Sequence, residues 1–333
     1  MKILGIETSC DETAAAIIED GTKIISNVVA TSSAMHARSG GVIPENAARE
    51  QIKAIIPVIR EALGNHKIDA IAVTIGPGLI GSLLVGVETA KTLSLLWGTP
   101  IIPVNHLVGH IYANWLDKDK SPEFPSLALV VSGGHTDLVY MKSHGDIEYI
   151  GGTRDDAAGE AFDKCARLLG LPYPGGPNLS NLAQKYLDKN PNAKLNLFPR
   201  PMINEDNLDW SFSGLKTAVL REVGNKKFDD EEKSKIAAEV QEAIVDCLVT
   251  KSLHAIKKYN PKSFLLAGGV AANKRLREVL SVKISRTTLH IPSAILCTDN
   301  AAYIGSAAYF NKKEVDWRKL NASPELTITA SLL

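Results

Sequence analysis

Two stretches of this chain repeat one order of elements, and that repetition constrains the fold more than any single residue does. In the first stretch an apolar strand, KILGIET, leads through a polar turn to a second strand, TAAAIIE. A turn at Asp20-Gly21 joins it to a third strand, KIISNVVAT. A helix is predicted next, over 44–63. Pro44 suits its first turn, and Ile52, Ile55, Ile56 and Ile59 recur at helical spacing. Strand IDAIAVTI, a glycine-rich turn, a helix over 81–96 and strand IIPVNH follow.

The second stretch starts near Pro125 with strand LALVV, the small-residue turn SGGH and strand TDLVYM. A turn at Gly145, strand DIEYIGG and a helix over 157–169 come next. The polar, proline-rich run 173–209 reads as an insertion. A long helix over 231–258, strand KSFLLAGG, helix ANKRLREVL, strand TLHIP and a helix over 300–309 complete the order. Both units begin strand, tight turn, then a strand opening on threonine (Thr13, Thr136). The repeat is one of pattern, without identity between the halves. Two such units make the architecture of actin, Hsp70 and sugar kinases. The expected class is α/β, with two actin/Hsp70-like (ASKHA, RNase H-like) domains and a nucleotide cleft between them. The first domain is expected over 1–120, joined by 300–333. The second is expected over 121–299, with a helical insertion around 173–230.

Composition narrows the function classes. The chain has 333 residues, 45% hydrophobic and 22% charged, a globular profile. Apolar runs such as LALVV are too short to span a bilayer, and Glu7 interrupts the apolar start, so a cytoplasmic location without membrane contact is expected. Lys plus Arg equals Asp plus Glu at 37 each. Such neutrality does not advertise nucleic acid, so RNA would require a local basic patch or a partner's charge. The four cysteines form no CxxC pair, which argues against a zinc ribbon or thioredoxin-like motif.

Three segments could carry chemistry. The glycines of SGGHT let backbone amides approach an anion, although an ordinary hairpin has the same look. AGGVAAN, between a buried strand and a helix, has the small residues that pack flat against a purine, or that simply close a strand–helix joint. The first-unit loop ETSCDET carries three carboxylates, which suits a cation, an amine or the substrate better than bare phosphate. GPGLIG matches a dinucleotide fingerprint, but no acid ends the following strand IIPVNH, so a glycine turn before a helix is the better account.

HLVGH sets His106 and His110 four apart, on one face of a helix, where both imidazoles can reach one ion. Leu107 stands where a zinc protease would need its glutamate. Asp299, in CTDNAAYIG, lies at a strand-to-helix junction and is a candidate third ligand or a helix cap. Spacing alone does not bring it to the histidines.

Taken together, GIETSCDETAAAI, GGVIPE, GPGLIGSLLVG, NHLVGHI, LVVSGGHTDLV, DDAAGEAFDKCARLLGLPYPGGP, FSGLKTA, LAGGVAANKRLR and CTDNAAYIG resemble the TsaD (Gcp/YgjD) family, bacterial branch, over nearly the whole chain. The resemblance implies transfer of a threonylcarbamoyl group from threonylcarbamoyl-AMP to N6 of adenosine 37 in tRNAs reading codons that start with A. It implies one Fe2+ or Zn2+ on His106, His110 and Asp299. Substrate binding is implied at Val130, Val131, Ser132, Gly133, Gly134, His135, Asp163, Gly176 and Asn273. The implied partners are tRNA, a TsaB-type paralogue and a TsaE-type ATPase, with a TsaC/Sua5-type enzyme supplying the donor. Asp11 and Glu12, in the first loop, are the candidate catalytic residues, to accept the amine proton or orient the substrate. Ala48 and Gln51 stand where relatives often carry Ser and His, and Ser39 replaces a frequent Tyr. The competing readings are a small-molecule kinase on the same fold and, further off, a metallopeptidase.

Overall fold

A computed structural model describes residues 1–33, 35–36, 40–224, 226 and 228–331; Ser39 lies outside them. The chain forms two compact units. One comprises 1–123, 141–148 and 292–333, the other 124–140 and 149–291.

The sheet of the first unit has the order β3-β2-β1-β4-β5, built from β1 Lys2–Glu7, β2 Glu12–Glu19, β3 Lys23–Thr31, β4 Ala70–Gly76 and β5 Ile101–Asn105. Strand β1 pairs antiparallel with β2 and parallel with β4. Ile3, Leu4, Ile6 and the run Ala14–Ile18 are fully buried. Burial on both faces is why these strands read as continuous apolar runs instead of alternating ones. Helices α1 Pro44–Leu63 and α2 Ile80–Trp97 pack with this sheet. By length and composition helix α2 is the one helix among the described residues that could cross a membrane. Its Leu83, Val87 and Ala90 are instead buried within the unit, and Glu88 pairs with Lys91 at 2.9 Å in mid-helix.

Two further helices of this unit bear on function. Strand β5 stops at Asn105 because that side chain accepts the amides of Leu107 and Val108, capping α3 His106–Tyr112. At the far end of the chain Asn300 accepts the amides of Ala302 and Tyr303 and starts α9 Ala302–Phe310. Gly5 lets this last helix lie flat on β1, where any Cβ would run into the Ala301 carbonyl.

The second unit has the sheet order β10-β9-β6-β7-β8. Its strands are β6 Ser126–Val131, β7 Thr136–Ser143, β8 Asp146–Gly152, β9 Ser263–Ala267 and β10 Thr288–His290. Parallel β6 and β9 put Val130 beside Ala267. The helices are α4 Ala158–Leu168, α5 Gly175–Lys189, α6 Ser213–Val223, α7 Asp230–Tyr259 and α8 Lys274–Lys283. The run expected as an insertion contains a full helix, α5, packed on α4 and α7.

Candidate functional site

In the first unit α3 and the start of α9 bring His106, His110 and Asp299 together, with one ligand atom from each within 4.8 Å of the others. Asp299 Oδ1 lies 3.7 Å from His106 Nε2, 3.4 Å from His110 Nε2 and 3.3 Å from the Tyr303 hydroxyl. Asn300, not Asp299, caps α9, which leaves the Asp299 carboxylate to face the histidines.

Behind His106 stands Glu7, fully buried at the end of β1. Its Oε2 lies 3.2 Å from His106 Nδ1 and accepts the Thr74 hydroxyl at 2.5 Å, while its Oε1 accepts the Ser9 amide at 2.6 Å. An ionised carboxylate can only accept, so in the neutral imidazole the proton belongs on Nδ1 and the Nε2 lone pair faces Asp299. Ser9 Oγ lies 3.2 Å from the same Nδ1. The Nδ1 of His110 is buried without a partner.

Two carboxylates, the buried Glu7 and the partly buried Asp299, flank the histidines. Burial opposes charge on His106, but Glu7 and Asp299 outweigh it and hold the imidazole up to about 9. Burial and the neighbouring His106 push His110 down. Burial works against the Asp299 anion too, yet both histidines draw its carboxyl far below the usual range. Burial, Asp299 and Asp11 push Glu12 up to about 10. No Lys or Arg ion-pairs with Glu7 or Asp299 among the described residues. The donor set fits a divalent ion with nitrogen and oxygen ligands. Bonds of about 2.0–2.2 Å need ligand atoms about 3.3 Å apart; the two separations to Asp299, 3.7 and 3.4 Å, come near this, and all three atoms lie within 4.8 Å of one another.

Asp11 and Glu12 close the loop between β1 and β2, half-buried in the same unit, and Glu12 feels Asp299 electrostatically. Reading the sequence grouped Glu7 with Asp11 and Glu12 as carboxylates suited to a cation but did not join it to His106, and it missed Thr74 on Glu7 and Tyr303 beside the histidines.

In the second unit the SGGHT loop is a tight hairpin. The Ser132 amide donates to the His135 carbonyl at 2.8 Å and Ser132 Oγ accepts the His135 amide at 3.1 Å. Val130 and Val131 are buried strand residues below it. Space is open above Gly133 and Gly134. Helix α4 begins against this hairpin, where Gly159 donates to the Ser132 carbonyl at 3.1 Å and Ala158 to Thr136 Oγ1 at 2.8 Å. A Cβ on Gly159 would strike Ser132, which explains that glycine. Gly268, with φ +89°, touches the Val131 carbonyl in the same way. Asp163 and Gly176 meet directly, the Gly176 amide donating to Asp163 Oδ1 at 2.8 Å. Asp163 thus stands in for the missing cap of α5, whose N-cap residue is Pro174. Asn273 is a structural residue as well. Its Oδ1 caps α8 at Leu276 while its Nδ2 donates to Ser180 and Gln241, at 2.8 and 3.0 Å. AGGVAAN therefore ends in a short 3-10 turn, Gly269–Ala272, before the helix proper.

Comparison with known proteins gives one consistent result. Residues 23–306 match the family profile "TsaD: tRNA N6-adenosine threonylcarbamoyltransferase". The chain is 51% identical to the tRNA N6-adenosine threonylcarbamoyltransferase of Dehalococcoides mccartyi, over 99% of this chain and 100% of that one. It is 50% identical to the enzyme of that name from Bacillus subtilis, over 99% and 96%. Among solved structures, component A of (R)-2-hydroxyglutaryl-CoA dehydratase from Acidaminococcus fermentans aligns with a TM-score of 0.54 at 14% identity, over 93% of this chain and 98% of that one. Full-length HypF aligns with a TM-score of 0.59 at 15% identity, over 93% and 46%. Those likenesses bear on the fold alone, and it is the expected ASKHA fold.

Proposed function

The chain belongs to the TsaD family of tRNA N6-adenosine threonylcarbamoyltransferases, and from that premise we propose that it moves the threonylcarbamoyl group of threonylcarbamoyl-AMP to N6 of adenosine 37 in tRNAs reading codons that start with A. It is an acyltransferase with a tRNA substrate; the donor and the position are the finer reading. The observation that carries this reading is the convergence of His106, His110 and Asp299 with Glu7 behind them.

His106, His110 and Asp299 would hold one Fe2+ or Zn2+; two imidazoles and a carboxylate suit either. Bound there, the ion supplies a Lewis acid for the threonylcarbamoyl group. The rest is positioning, because a mixed anhydride is already activated and no covalent nucleophile is required. The amides of Gly133 and Gly134, at the tip of the hairpin that Ser132 and His135 close above Val130 and Val131, would receive the phosphate. Gly176 and Asn273 would border the nucleoside, with Asp163 offering its second oxygen to the ribose. Glu7 holds His106 in one tautomer. Asp11 would take the proton of the adenine amine as it attacks, a task for which a carboxylate suffices because the amine sheds its proton only during attack, and Glu12, whose carboxyl is pushed up to about 10 and keeps its proton near neutral pH, would orient that amine.

A TsaB-type paralogue and a TsaE-type ATPase are the proposed partners, with a TsaC/Sua5-type enzyme upstream and the cytoplasm as the compartment. An exposed apolar surface supports a docked protein, since Ile52 and Ile56 on α1 and Ile80 and Leu84 on α2 are all 43% exposed or more. The two compact units are proposed as the two domains of the fold.

Reconstitution tests the reading. Threonine, bicarbonate, ATP, tRNA and the three partner proteins are combined with the chain, and the tRNA nucleosides are analysed. Threonylcarbamoyladenosine is expected with the wild-type chain and not with His106→Ala. Phosphorylation of a sugar without modified adenosine would overturn it.

A further inference from the structure

We infer that Gln51 is a positioning residue for the transfer reaction: its side-chain amide gathers three backbone carbonyls and so fixes the segment that carries Asp11 and Glu12. Gln51 lies on α1 and is 1% exposed. Its Nε2 points at the carbonyls of Thr8, Cys10 and Glu12, at 3.4, 3.1 and 2.9 Å. Two hydrogens serve three acceptors, so the amide occupies the place a small cation would take among converging carbonyl dipoles.

The carbonyls between these are also held. Leu79 donates its amide to the Ser9 carbonyl at 2.8 Å, and Ser32 donates its hydroxyl to Asp11 at 2.8 Å. Ser82 adds a second donor to Cys10, at 2.9 Å. Five consecutive carbonyls, Thr8 to Glu12, are therefore tied into the body of the unit. Gln51 alone reaches three of them, and it reaches both the Ser9 end beside His106 and the Glu12 end. Gly78 and Gly86 admit the segment this closely, since a Cβ on either would collide with Ser9 or Thr8. The Gln51 Oε1 is buried without a partner. An apolar side chain would avoid that loss, so the contribution of the residue lies in its donors.

The inference rests on the reading that this segment acts in transfer, and the test separates the two. Gln51→Glu, Gln51→Leu and Gln51→Ala are compared with Asp11→Ala and Glu12→Ala in the reconstituted reaction under single turnover. Zinc affinity and thermal midpoint are measured on the same preparations. Gln51→Glu turns an acceptor toward three carbonyls, and Gln51→Leu removes the donors. Both are expected to transfer roughly 100-fold more slowly, the usual consequence of a misplaced reacting group, with KM for tRNA and zinc affinity unchanged. In Gln51→Ala, ammonium chloride is expected to restore part of the rate by refilling the carbonyl cluster, where sodium chloride at equal ionic strength restores less. Folded Gln51 variants that transfer within about threefold of wild type would overturn the inference, as would a rate that falls only in step with zinc affinity and thermal midpoint. A folded Gln51→Ala protein blind to ammonium would count against it too. If Asp11→Ala and Glu12→Ala keep the wild-type rate while the Gln51 variants lose it, the carboxylate assignment fails and the positioning role stands.

Discussion

At the scale of single residues, Glu7 repays most attention, because a ligand's affinity depends on what holds the ligand. Carboxylate–imidazole pairs behind a metal site raise the basicity of the imidazole and fix its orientation. Glu7→Gln keeps the shape and removes the charge. It is expected to weaken zinc binding about 10- to 100-fold, read by competition with a chromogenic chelator on the isolated protein. Sequence spacing already showed His106 and His110 as a pair, since i and i+4 share a helix face. The sequence marked Glu7 as a carboxylate suited to a cation, but its pairing with His106 stayed hidden because 99 residues separate the two and only the fold joins them. A second residue allows a test by pH. Burial alone pushes Asp137, on β7, up to about 6 from the ordinary 3.8. Between those values the folded protein binds more protons than the unfolded chain, so this group's share of stability falls as pH rises from 4 to 6. Above pH 6 the fold carries the whole cost of a buried carboxylate. Asp137→Asn is expected to stabilise by about 1–2 kcal/mol at pH 7.5, after allowance for partial solvent screening, and to change nothing near pH 3.5, as urea titrations at the two pH values would show.

At the scale of elements, the strands and long helices were legible because their patterns are local. KIISNVVAT and DIEYIGG coincide with β3 and β8, and 44–63 with α1. The bounds of α5 were not legible within the helical insertion expected around 173–230. Its start, PGGPNLS, has the composition of a loop, and its missing cap comes from Asp163, 13 residues away. The same device governs α6, whose N-cap residue Phe212 offers no side-chain acceptor. Asp155 supplies one from the β8–α4 loop, accepting the amides of Phe212 and Ser213 at 2.7 and 3.2 Å and the hydroxyls of Ser211 and Ser213 at 2.5 and 2.8 Å. Asp155→Ala leaves four donors without this acceptor. It is expected to cost about 1–3 kcal/mol and to speed amide exchange in the first turn of α6 more than in α7. Equal exchange in both helices would mean that α6 is held by packing through Leu215 and Val219 instead.

At the scale of the whole molecule, the duplicated order of elements was enough to give the ASKHA class and the expectation that 300–333 joins 1–120, an expectation that left Asp299 one residue outside the joined segment. The unit that holds β1 also takes in residues 292–333. Asp299 therefore enters the site from the opposite end of the chain, which is why spacing could not assign it. Charge is the other global property, and it leads to a test on RNA. With 37 basic and 37 acidic residues the chain has no net attraction for a polyanion. Affinity for tRNA that came from many phosphate contacts would fall steeply with salt, because each neutralised phosphate releases condensed counterions, about 0.7–0.9 per contact. A neutral protein that reads a single modified nucleotide has few such contacts to make. The isolated chain is therefore expected to bind tRNA with a shallow dependence, a slope of log affinity on log salt of about −2 to −3, read by fluorescence anisotropy from 50 to 300 mM potassium chloride. Adding the proposed partner proteins should steepen that slope if they supply the basic surface. A slope near −7 for the chain alone would mean that its positive charges gather on one face despite the neutral total, and the tRNA path would then run over this protein and not over its partners.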